Sequence, residues 1–409
     1  VVQKYGGSSV ATPERIRRVA QRVVEVRRQG HQVVVVVSAM GDTTDELIDL
    51  MHKITENPPE REVDMLLSTG EQVSVALLAM AINSLGEQVV SLSGSQAGIL
   101  TDNVHTKARI VEVKADRIQQ ELAAGRIVVV AGFQGVNDAN DVTTLGRGGS
   151  DTTAVALAAA LRADLCEIYT DVDGVFTADP RIVPDARKLP SVSYDEMLEL
   201  AHLGAGVLHY RAVECAKLHG VPLHVRSSFN YNPGTIVKEV CEMERSMVVT
   251  GVAHDLNIAK VALFDVYDRP GIAWRIFRAL ADENINVDMI IQSAMRDGLN
   301  DIAFTVNKSD LKKTLAVLER IKDQVGATGY TYDEDVAKVS IVGSGIATNP
   351  GVAALMFEAL ARENINLEMI ATSEIKISCI IKAHEVTRAV RALHRKFILS
   401  GEDRCVISA

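Results

Sequence analysis

Cysteine is scarce in this sequence, and its spacing argues against a disulfide-stabilised fold. Five cysteines occur among 409 residues, and no two form a C-x-x-C pair. An odd set of isolated cysteines argues against a disulfide framework and fits reduced thiols in a cytosol. The ten histidines also lack a metal-binding spacing such as His-Glu-x-x-His. We therefore predict a cytoplasmic protein without a metal-ligating cluster of its own.

An excess of basic residues and long apolar runs are also missing. The formal charge is −10, which argues against a nucleic-acid partner that would need a broad basic face. No uninterrupted apolar run approaches the roughly 20 residues of a membrane span, and no signal peptide is visible. We expect neither nucleic acid nor a membrane among the partners. A small anionic substrate stays possible, because a few local basic side chains can dominate a cleft.

Aromatic residues make up only 4% of the chain, so aliphatic side chains must fill the cores. Several β-branched runs are continuous rather than alternating, which is typical of parallel strands covered on both faces. Helical stretches separate these runs, and this alternation predicts an α/β fold with a mostly parallel sheet. Ligands should bind beyond the carboxyl ends of its strands. The clearest strands and helices are predicted at Val33–Val37, Ile127–Ala131, Asp164–Tyr169, Pro13–Arg28 and Thr152–Arg162.

The second half of the chain contains an internal repeat. Pro270–Ile290 matches Pro350–Ile370 at 13 of 21 positions. In each copy an apolar strand leads to a Pro-Gly turn, a helix, an Asn-Ile-Asn segment and a second strand, which predicts two small α+β modules packed together. Asn-Pro-Gly before a charged run marks a connector. We predict a catalytic domain over 1–230, a linker over 231–248, and modules over 249–330 and 331–409.

Two glycine-rich segments are suited to binding anions. Lys4-Tyr-Gly-Gly-Ser-Ser9 combines paired glycines, which allow close backbone approach, with a compact positive charge. Thr144-Leu-Gly-Arg-Gly-Gly-Ser-Asp151 runs into a helix whose N-terminus adds anion-binding N–H groups. We predict that Ser150 or Asp151 caps this helix, and Arg147 could hold a carboxylate with two hydrogen bonds. Neither segment matches a Walker loop or a dinucleotide fingerprint.

Other polar residues each allow a functional and a structural interpretation. Asp171 and Asp173 follow a predicted strand and could orient magnesium or simply complete a turn. Glu71 opens a helical stretch and could meet a substrate ammonium or complement the helix dipole. Ser38 and Thr44 flank the loop after the valine-rich strand. They could donate hydrogen bonds to substrate oxygens or serve as ordinary polar loop residues.

Taken together and in this order, the motifs resemble those of bacterial aspartokinases, and the tandem repeat resembles that family's paired ACT modules. The resemblance covers essentially the whole chain. It implies an amino-acid-kinase α/β/α sandwich with a mostly parallel sheet, followed by two ferredoxin-like ACT modules. The implied reaction uses ATP and Mg²⁺ to convert L-aspartate into 4-phospho-L-aspartate, the first step toward lysine, threonine and methionine. The remaining motifs that carry it are Ser38-Ala-Met-Gly, Ser68-Thr-Gly-Glu-Gln72, Gly132-Phe-Gln-Gly135 and Tyr169-Thr-Asp-Val-Asp-Gly-Val-Phe-Thr-Ala-Asp-Pro-Arg181.

The resemblance also implies roles for individual residues. Lys4 would stabilise the transferring phosphoryl group, and Asp151 would organise that lysine and the magnesium–phosphate region. The ATP site would comprise Lys4, Tyr5, Gly6, Gly7, Ser8, Thr170, Asp171, Phe176, Thr177, Ala178, Asp179, Pro180 and Arg181. The aspartate site would comprise Ser38, Thr44, Glu71, Arg147, Gly148, Gly149 and Ser150.

Regulation and assembly are implied in the same way. Lysine, threonine or both would bind the ACT modules as inhibitory effectors. The pocket residues would be Asp268, Gly271, Ala273 and Gln292, faced by Asn364 and Ile365 from the second module. The family also implies a homo-oligomer, or a hetero-oligomer with a short regulatory subunit that starts within the same gene, near Met243 or Met247.

Two alternatives compete with the aspartokinase hypothesis. One is another member of the amino-acid-kinase superfamily that acts on acetylglutamate, glutamate, carbamate or a nucleotide. The tandem repeat and Ser68-Thr-Gly-Glu71 argue against it. The other is a non-catalytic amino-acid sensor whose first domain is a scaffold, and the presence of Lys4, Arg147 and Asp171 argues against that.

Overall fold

The computed structural model describes residues 1–203, 206–239 and 248–399. These residues form two compact units. The first contains 1–176, 188–202 and 206–239, and the second contains 177–187, 203 and 248–399. Residues 240–247 of the predicted linker lie outside the described residues, as do the proposed internal starts Met243 and Met247.

The first unit is an α/β structure. Its strands are β1 (Val2–Tyr5), β2 (Val34–Val37), β3 (Val89–Leu92), β4 (Ile99–Thr101), β5 (Ile110–Val113), β6 (Ile127–Ala131), β7 (Gln134–Val136), β8 (Val142–Thr144), β9 (Cys166–Thr170), β10 (Ser191–Ser193), β11 (Leu223–Ser227) and β12 (Thr235–Lys238). Its helices are α1 (Pro13–Arg28), α2 (Thr43–Ile54), α3 (Glu60–Leu67), α4 (Thr69–Ser84), α5 (Asp116–Ala123), α6 (Gly149–Leu161), α7 (Tyr194–His202) and α8 (Tyr210–His219).

The central sheet of this unit is mostly parallel, as predicted. Its described strands follow the order β10-β12-β11-β9-β1-β2-β6-β3. Only β11 and β12 pair antiparallel within it. All four residues of β2 and all five of β6 are buried, because the strands are covered on both faces. Helix α1 begins at Pro13, where Thr12 accepts a hydrogen bond from the Arg15 amide and so satisfies a free N–H of the first turn.

One helical stretch of the described chain is long and apolar enough to cross a membrane. It runs from Glu60 to Ser84, through α3 and α4. Core helices of globular domains can have the same length and apolar composition. Val75, Leu78 and Ile82 belong to the buried cluster around β2 and β6, and the carboxylate of Glu71 is also buried. We therefore interpret this stretch as two core helices of the α/β unit.

A small second sheet in the first unit was not predicted from the sequence. Its order is β5-β4-β7-β8, and three of its four strands have only three residues. Strands this short leave no readable alternation of apolar and polar residues. The sheet matters for function because β8 leads directly into the Gly-Arg-Gly-Gly segment.

The second unit confirms the internal repeat. The first copy comprises β14 (Ile258–Tyr267), α9 (Ile272–Asp282), β15 (Val287–Gln292), β16 (Leu299–Asn307), α10 (Leu311–Val325) and β17 (Gly329–Asp333). The second comprises β18 (Val336–Val342), α11 (Val352–Arg362), β19 (Met369–Thr372), β20 (Lys376–Lys382) and α12 (Val386–His394). Each copy has its own described four-stranded sheet.

The two modules are not strictly consecutive along the chain. Strand β13 (Gly251–Asp255) precedes the first module, yet it pairs antiparallel with β18 and so lies in the sheet of the second. This pairing corrects the assignment of 251–255 to the module predicted over 249–330, although the domain boundaries themselves stay predictions. A periodic pattern identifies a strand but not its partner, which explains the error.

The repeat is also visible in the contacts between the two modules. Lys260 of β14 pairs with Glu368 at 2.5 Å, and the equivalent Lys338 of β18 pairs with Asp288 of β15 at 2.5 Å. Apolar residues from both sheets, including Ile258 and Val336, form a shared cluster. The side chain of Lys338 is only 5% exposed. Loss of its partner would leave a buried charge, so these pairs fix how the modules pack.

Candidate active site

The register of the central sheet brings the sequence motifs to one edge. Tyr5 at the end of β1 pairs with Val37 of β2 and Tyr169 of β9, and Val37 pairs with Ala131 of β6. The residues that follow these positions therefore lie side by side. They are Gly6, Ser38, Thr170 and Gly132. This is the carboxyl edge of a parallel sheet, where ligands were expected.

Lys4 and Asp151 form the charged centre of this edge. Lys4 Nζ lies 2.6 Å from Asp151 Oδ1, and both side chains are 12% exposed. The contact is an ion pair rather than an aligned hydrogen bond. A Cβ at Gly6 would lie 3.4 Å from Lys4 Nζ, so the ammonium group sits against the Gly6 backbone. A positive charge is thus held beside a glycine turn that a phosphate can approach.

The glycine turn after β1 packs tightly against the loop after β2. A Cβ at Gly7 would lie 2.9 Å from the Ala39 carbonyl oxygen, and the Gly41 amide donates to the Gly7 carbonyl at 3.1 Å. Ser8, beside Gly7, is half-buried. A side chain at position 7 would collide with this loop, and phosphate contact by the Gly6–Gly7–Ser8 backbone stays a prediction.

Tyr5 does not fit the ATP-site prediction through its side chain. Its ring is fully buried and stacks on Tyr169, with ring centroids 4.6 Å apart. Burial also raises the pKa of its phenol well above the ordinary value. The hypothesis of nucleotide contact is corrected for this ring, which supports the sheet edge from within the core. Only the Tyr5 backbone is left as a candidate.

Glu71 is a buried carboxylate in which only one of the two oxygens accepts a hydrogen bond. It lies in the first turn of α4 and is 3% exposed. Oε1 accepts from the Ala39 amide at 3.1 Å, while Oε2 is buried with no partner. Burial raises the pKa of this carboxyl from 4.5 to about 7. A buried carboxylate of this kind gains most from a cationic ligand.

The other aspartate-site candidates surround this edge. Ser38 is half-buried and its amide donates to the Tyr5 carbonyl at 3.1 Å, while Thr44 is half-buried in the first turn of α2. Ser150 is 7% exposed and lies against the end of β6, since a Cβ at Gly132 would be 2.7 Å from its Oγ. Arg147 is exposed on the loop between β8 and α6.

The predicted cap of α6 is wrong. Helix α6 begins at Gly149, and its N-cap is Gly148 in the left-handed conformation, with φ 69° and no side-chain cap. Ser150 and Asp151 lie inside the first turn, where the Asp151 carboxylate pairs with Lys4. Gly146, with φ 74°, also requires glycine. The loop glycines therefore set the start of the helix, and the Asp151 side chain pairs with Lys4 instead of capping the helix.

His209 is a residue of this region that the sequence did not reveal. A Cβ at Gly148 would lie 2.1 Å from His209 Cγ, so the imidazole packs directly on the Gly148 backbone. Its Nδ1 is buried without a partner, and burial lowers the pKa of the ring below its ordinary 6.5. Asp151 is close enough to oppose that shift. Only the adjacency of a glycine loop in space identifies this histidine.

Asp64 is a second residue that the sequence did not reveal. Its carboxylate is fully buried and accepts from Thr144 Oγ1 at 2.5 Å and from the Thr106 amide at 3.0 Å. His105 Nδ1 lies 2.7 Å away. Thr106 has φ 63°, an unusual conformation for a β-branched residue. Asp64 therefore stabilises a strained turn next to the end of β8, where the glycine loop starts.

The nucleotide-side candidates of the first unit follow β9. Thr170 Oγ1 donates to the exposed Asp171 at 3.1 Å, and Phe176 is half-buried. Asp173 is bonded by the side-chain amides of Asn230 at 2.7 Å and Asn232 at 3.1 Å, which lower its pKa. Both Asp173 oxygens are thus used in a turn, which favours the structural interpretation of this aspartate over magnesium binding.

A turn over residues 228–232 lies beside the nucleotide-side candidates. Besides the two asparagines, it contributes Ser228, whose hydroxyl accepts from Ser9 Oγ at 2.8 Å. Ser9 belongs to the glycine turn after β1. From sequence, the predicted linker began within this turn, at residue 231, and the turn itself carried no functional prediction.

The remaining predicted ATP residues belong to the second unit. They are Thr177, Ala178, Asp179, Pro180 and Arg181. Thr177 and Ala178 are buried there: Thr177 Oγ1 lies 2.9 Å from His394 Nε2, and Ala178 belongs to the core around β18. Arg181 pairs with Asp179 at 2.8 Å. The contact of these five residues with nucleotide stays a prediction.

Four of the effector candidates lie at one end of the first module. Tyr267 and Gln292 pair with Leu299 and Ile302 of β16, so β14 and β15 end close together. Asp268 follows β14, Gly271 is the left-handed N-cap of α9, and both are exposed. Ala273 is also exposed in the first turn of α9. This arrangement agrees with a small-ligand pocket.

Asn364 and Ile365 have structural roles within the second module. Asn364 adopts φ 54° just beyond α11, and its amide donates to the Ala361 carbonyl. Ile365 is 5% exposed in the core around β18. The described contacts of a single chain do not bring these two to the first-module pocket, so the facing arrangement stays a prediction.

Comparisons with known protein families agree with this architecture. The amino acid kinase family matches residues 1–227, and ACT domain families match 260–326 and 339–397. The chain is 54% identical to the aspartokinase of Mycolicibacterium smegmatis and 53% identical to that of Corynebacterium glutamicum. Both matches cover 100% of this chain and 98% of the relative.

Solved structures give the same result for the fold. A Synechocystis aspartate kinase matches with a TM-score of 0.55 and 47% identity, covering 97% of this chain and 69% of that one. Escherichia coli aspartokinase III in complex with aspartate and ADP matches with a TM-score of 0.83 at 24% identity, covering 97% and 99%. In this chain the kinase domain precedes two ACT domains. The chain belongs to the aspartokinase family, ATP-dependent kinases that phosphorylate the carboxyl group of aspartate.

Proposed function

We propose that Lys4, Asp151, Glu71 and Arg147 phosphorylate aspartate at the carboxyl edge of the central sheet. The observation that carries this proposal is the unpaired Oε2 of Glu71, which is buried beside the loop after β2. The α-ammonium of an amino acid would satisfy this oxygen with a charge-assisted hydrogen bond. Arg147, exposed on the glycine loop, would bind an aspartate carboxylate with two parallel hydrogen bonds.

The remaining candidates would then position the reacting groups. The aspartate side chain is ionised near neutral pH, so its oxygen can attack the γ-phosphorus without a general base. Lys4, fixed by Asp151, would stabilise charge on the transferring phosphoryl group, as positioning and electrostatics dominate such reactions. The first turn of α6 would direct its N–H groups toward the same charge.

Magnesium would reach this site mainly with the nucleotide. Among the described residues no group of three metal-ligating side chains exists. ATP-bound Mg²⁺ retains several waters and needs only one or two protein carboxylates. Asp171 is exposed at the edge and fits that role, whereas both Asp173 oxygens accept amide hydrogen bonds. When bound, the ion would neutralise phosphate charge.

We further propose that lysine, threonine or both bind at the first-module end defined by Asp268, Gly271, Ala273 and Gln292. A structure of Escherichia coli aspartokinase III in complex with lysine and aspartate matches this chain at 25% identity with a TM-score of 0.75. The helix N-terminus at Gly271 suits a carboxylate, and the exposed Asp268 suits an ammonium. The proposal also includes a homo-oligomer, or a hetero-oligomer with a short regulatory subunit, formed through the ACT modules. It includes a cytoplasmic location, which suits the free thiols of Cys166, Cys215 and Cys379.

Substrate competition tests the catalytic part. ATP turnover should require L-aspartate and should not occur with glutamate, acetylglutamate or carbamate. Arg147→Ala should raise the KM for aspartate at least about tenfold, the loss of a charged hydrogen-bond pair. Arg162→Asn, at the other end of α6, is the matched control and should leave that KM unchanged. Equal turnover with glutamate would favour another member of the superfamily, and binding of lysine or threonine without turnover would favour the sensor.

A further inference from the structure

We propose that Arg22 and Arg211 are positioning residues that each fix one half of the active site: Arg22 the nucleotide side and Arg211 the aspartate side. This inference rests on the proposed function of the site. Neither residue was expected from the sequence. Each uses the two terminal nitrogens of its guanidinium to bind two backbone carbonyls, one of which belongs to a loop of the site.

Arg211 holds the start of the glycine loop. Its Nη1 donates to the Leu145 carbonyl at 2.7 Å and its Nη2 to the Ala108 carbonyl at 2.8 Å. Leu145 and Ala108 are fully buried, so their carbonyls have no access to water as a substitute partner. Leu145 immediately precedes Gly146-Arg147-Gly148, whose glycines do not restrict the backbone by themselves. The position of Arg147 therefore depends on the anchored Leu145.

Arg22 holds the turn over residues 228–232 in the same way. Its Nη1 donates to the Ser227 carbonyl at 2.9 Å and its Nη2 to the Asn230 carbonyl at 2.6 Å. The guanidinium carbon also lies over two aromatic rings, 4.9 Å from the Tyr169 centroid and 4.3 Å from the Tyr231 centroid. Arg22 is only 7% exposed, so this geometry is enclosed by protein.

The held turn connects to both sides of the nucleotide region. Ser228 bonds Ser9 of the glycine turn, and Asn230 bonds Asp173 after β9. Tyr169, on which Arg22 stacks, directly precedes Thr170 and Asp171. Arg22 thus fixes three segments that would surround the nucleotide, while its described contacts share no residue with those of Arg211.

A third arginine provides the control. Arg27 lies on the same helix as Arg22, and its Nη1 and Nη2 also donate to two backbone carbonyls, of His31 at 3.1 Å and Gly125 at 2.9 Å. His31 precedes β2 and Gly125 precedes β6, so these contacts lie at the amino end of the sheet, away from the site. Arg27 thus repeats the bonding pattern of Arg22 and Arg211 but holds no loop of the site.

The test is a crossed kinetic comparison of Arg22→Lys, Arg211→Lys and Arg27→Lys in the full chain. Lysine keeps the charge but has one ammonium that cannot span two carbonyls in a fork. Arg22→Lys should raise the KM for ATP about tenfold with the KM for aspartate within about twofold, and Arg211→Lys should do the reverse. Arg27→Lys should change neither KM.

Several results would overturn the proposal. If both variants raise both KM values equally, or if Arg27→Lys matches them, the arginines act through general stability alone. If a lysine variant does not fold, the glutamine variant of the same arginine is tested in its place. For the nucleotide half, Ser228→Ala is a second test. Ser228→Ala removes the bond to Ser9 without changing Arg22 and should raise only the KM for ATP; an unchanged value contradicts the nucleotide half. Absence of aspartate-dependent turnover in the unmodified chain would instead refute the proposed function.

Discussion

Glu71→Gln tests the most unusual electrostatic feature of the site. Burial raises the Glu71 pKa from 4.5 to about 7, and the hydrogen bond from the Ala39 amide only partly opposes this shift. A raised acid pKa means that the folded state holds the proton more tightly than the unfolded state. The stability contributed by this group is therefore fully present below pH 4.5 and is lost as the pH rises to about 7.

The magnitude follows from the size of the shift. Each pKa unit corresponds to about 1.4 kcal/mol, so an ionised Glu71 costs about 3 kcal/mol of folding free energy at pH 8. Glutamine keeps an oxygen for the Ala39 amide but carries no charge. The gain in unfolding free energy from Glu71→Gln should therefore be about 2 kcal/mol larger at pH 8 than at pH 5.

Chemical denaturation of both proteins at the two pH values is the assay. Glu60→Gln removes an exposed carboxylate from the preceding helix α3 and controls for the loss of one negative charge. If the gain in unfolding free energy from Glu71→Gln is the same at both pH values, Glu71 is not a buried carboxyl group with a raised pKa. Kinetics give a second measurement: the KM for aspartate should rise toward tenfold per pH unit below about 7 in the unmodified enzyme. In Glu71→Gln it should be higher throughout and lack this dependence.

Three further predictions concern other parts of the chain. Lys4→Ala should reduce turnover at least about a hundredfold in a protein whose circular dichroism is unchanged, and near-normal activity of the folded variant would exclude its role. Gly148→Ala should raise the KM for aspartate and lower the free energy of unfolding by about 1–3 kcal/mol more than Gly220→Ala. Both glycines have positive φ, but only Gly148 lies against a side chain, that of His209. Equal effects of the two substitutions would show that the contact with His209 is unimportant. Asp268→Ala should weaken inhibition by lysine or threonine without changing the uninhibited rate, and titration of the single Trp274, exposed on α9, provides a fluorescence readout of binding; unchanged inhibition would move the effector site elsewhere.

The sequence predicted the elements whose signal is local. Helix α1 begins and ends as predicted, since Thr12 and Pro13 mark its start, and the continuous valine runs correctly indicated buried parallel strands. The repeat predicted two similar modules because 13 identical positions include their turn and core residues. The site motifs were placed at one sheet edge because parallel strands end there together.

Other features depend on contacts that sequence periodicity does not encode. The start of α6 was wrong because Gly148 takes the left-handed N-cap position instead of a serine or aspartate cap. Strand β13 was assigned to the wrong module because its partner, β18, comes more than 80 residues later. Arg22 and Arg211 resemble ordinary charges on amphipathic helices, and only the three-dimensional structure shows the carbonyls that they bind.

Trapping of the reaction product tests the central claim most directly. The enzyme is incubated with MgATP, L-aspartate and hydroxylamine, with and without lysine plus threonine, and the hydroxamate of the acyl phosphate is measured. The account predicts aspartate-dependent hydroxamate that disappears in Lys4→Ala and decreases with the effectors. ATP hydrolysis without hydroxamate, or no turnover from a folded protein that still binds lysine or threonine, would contradict it.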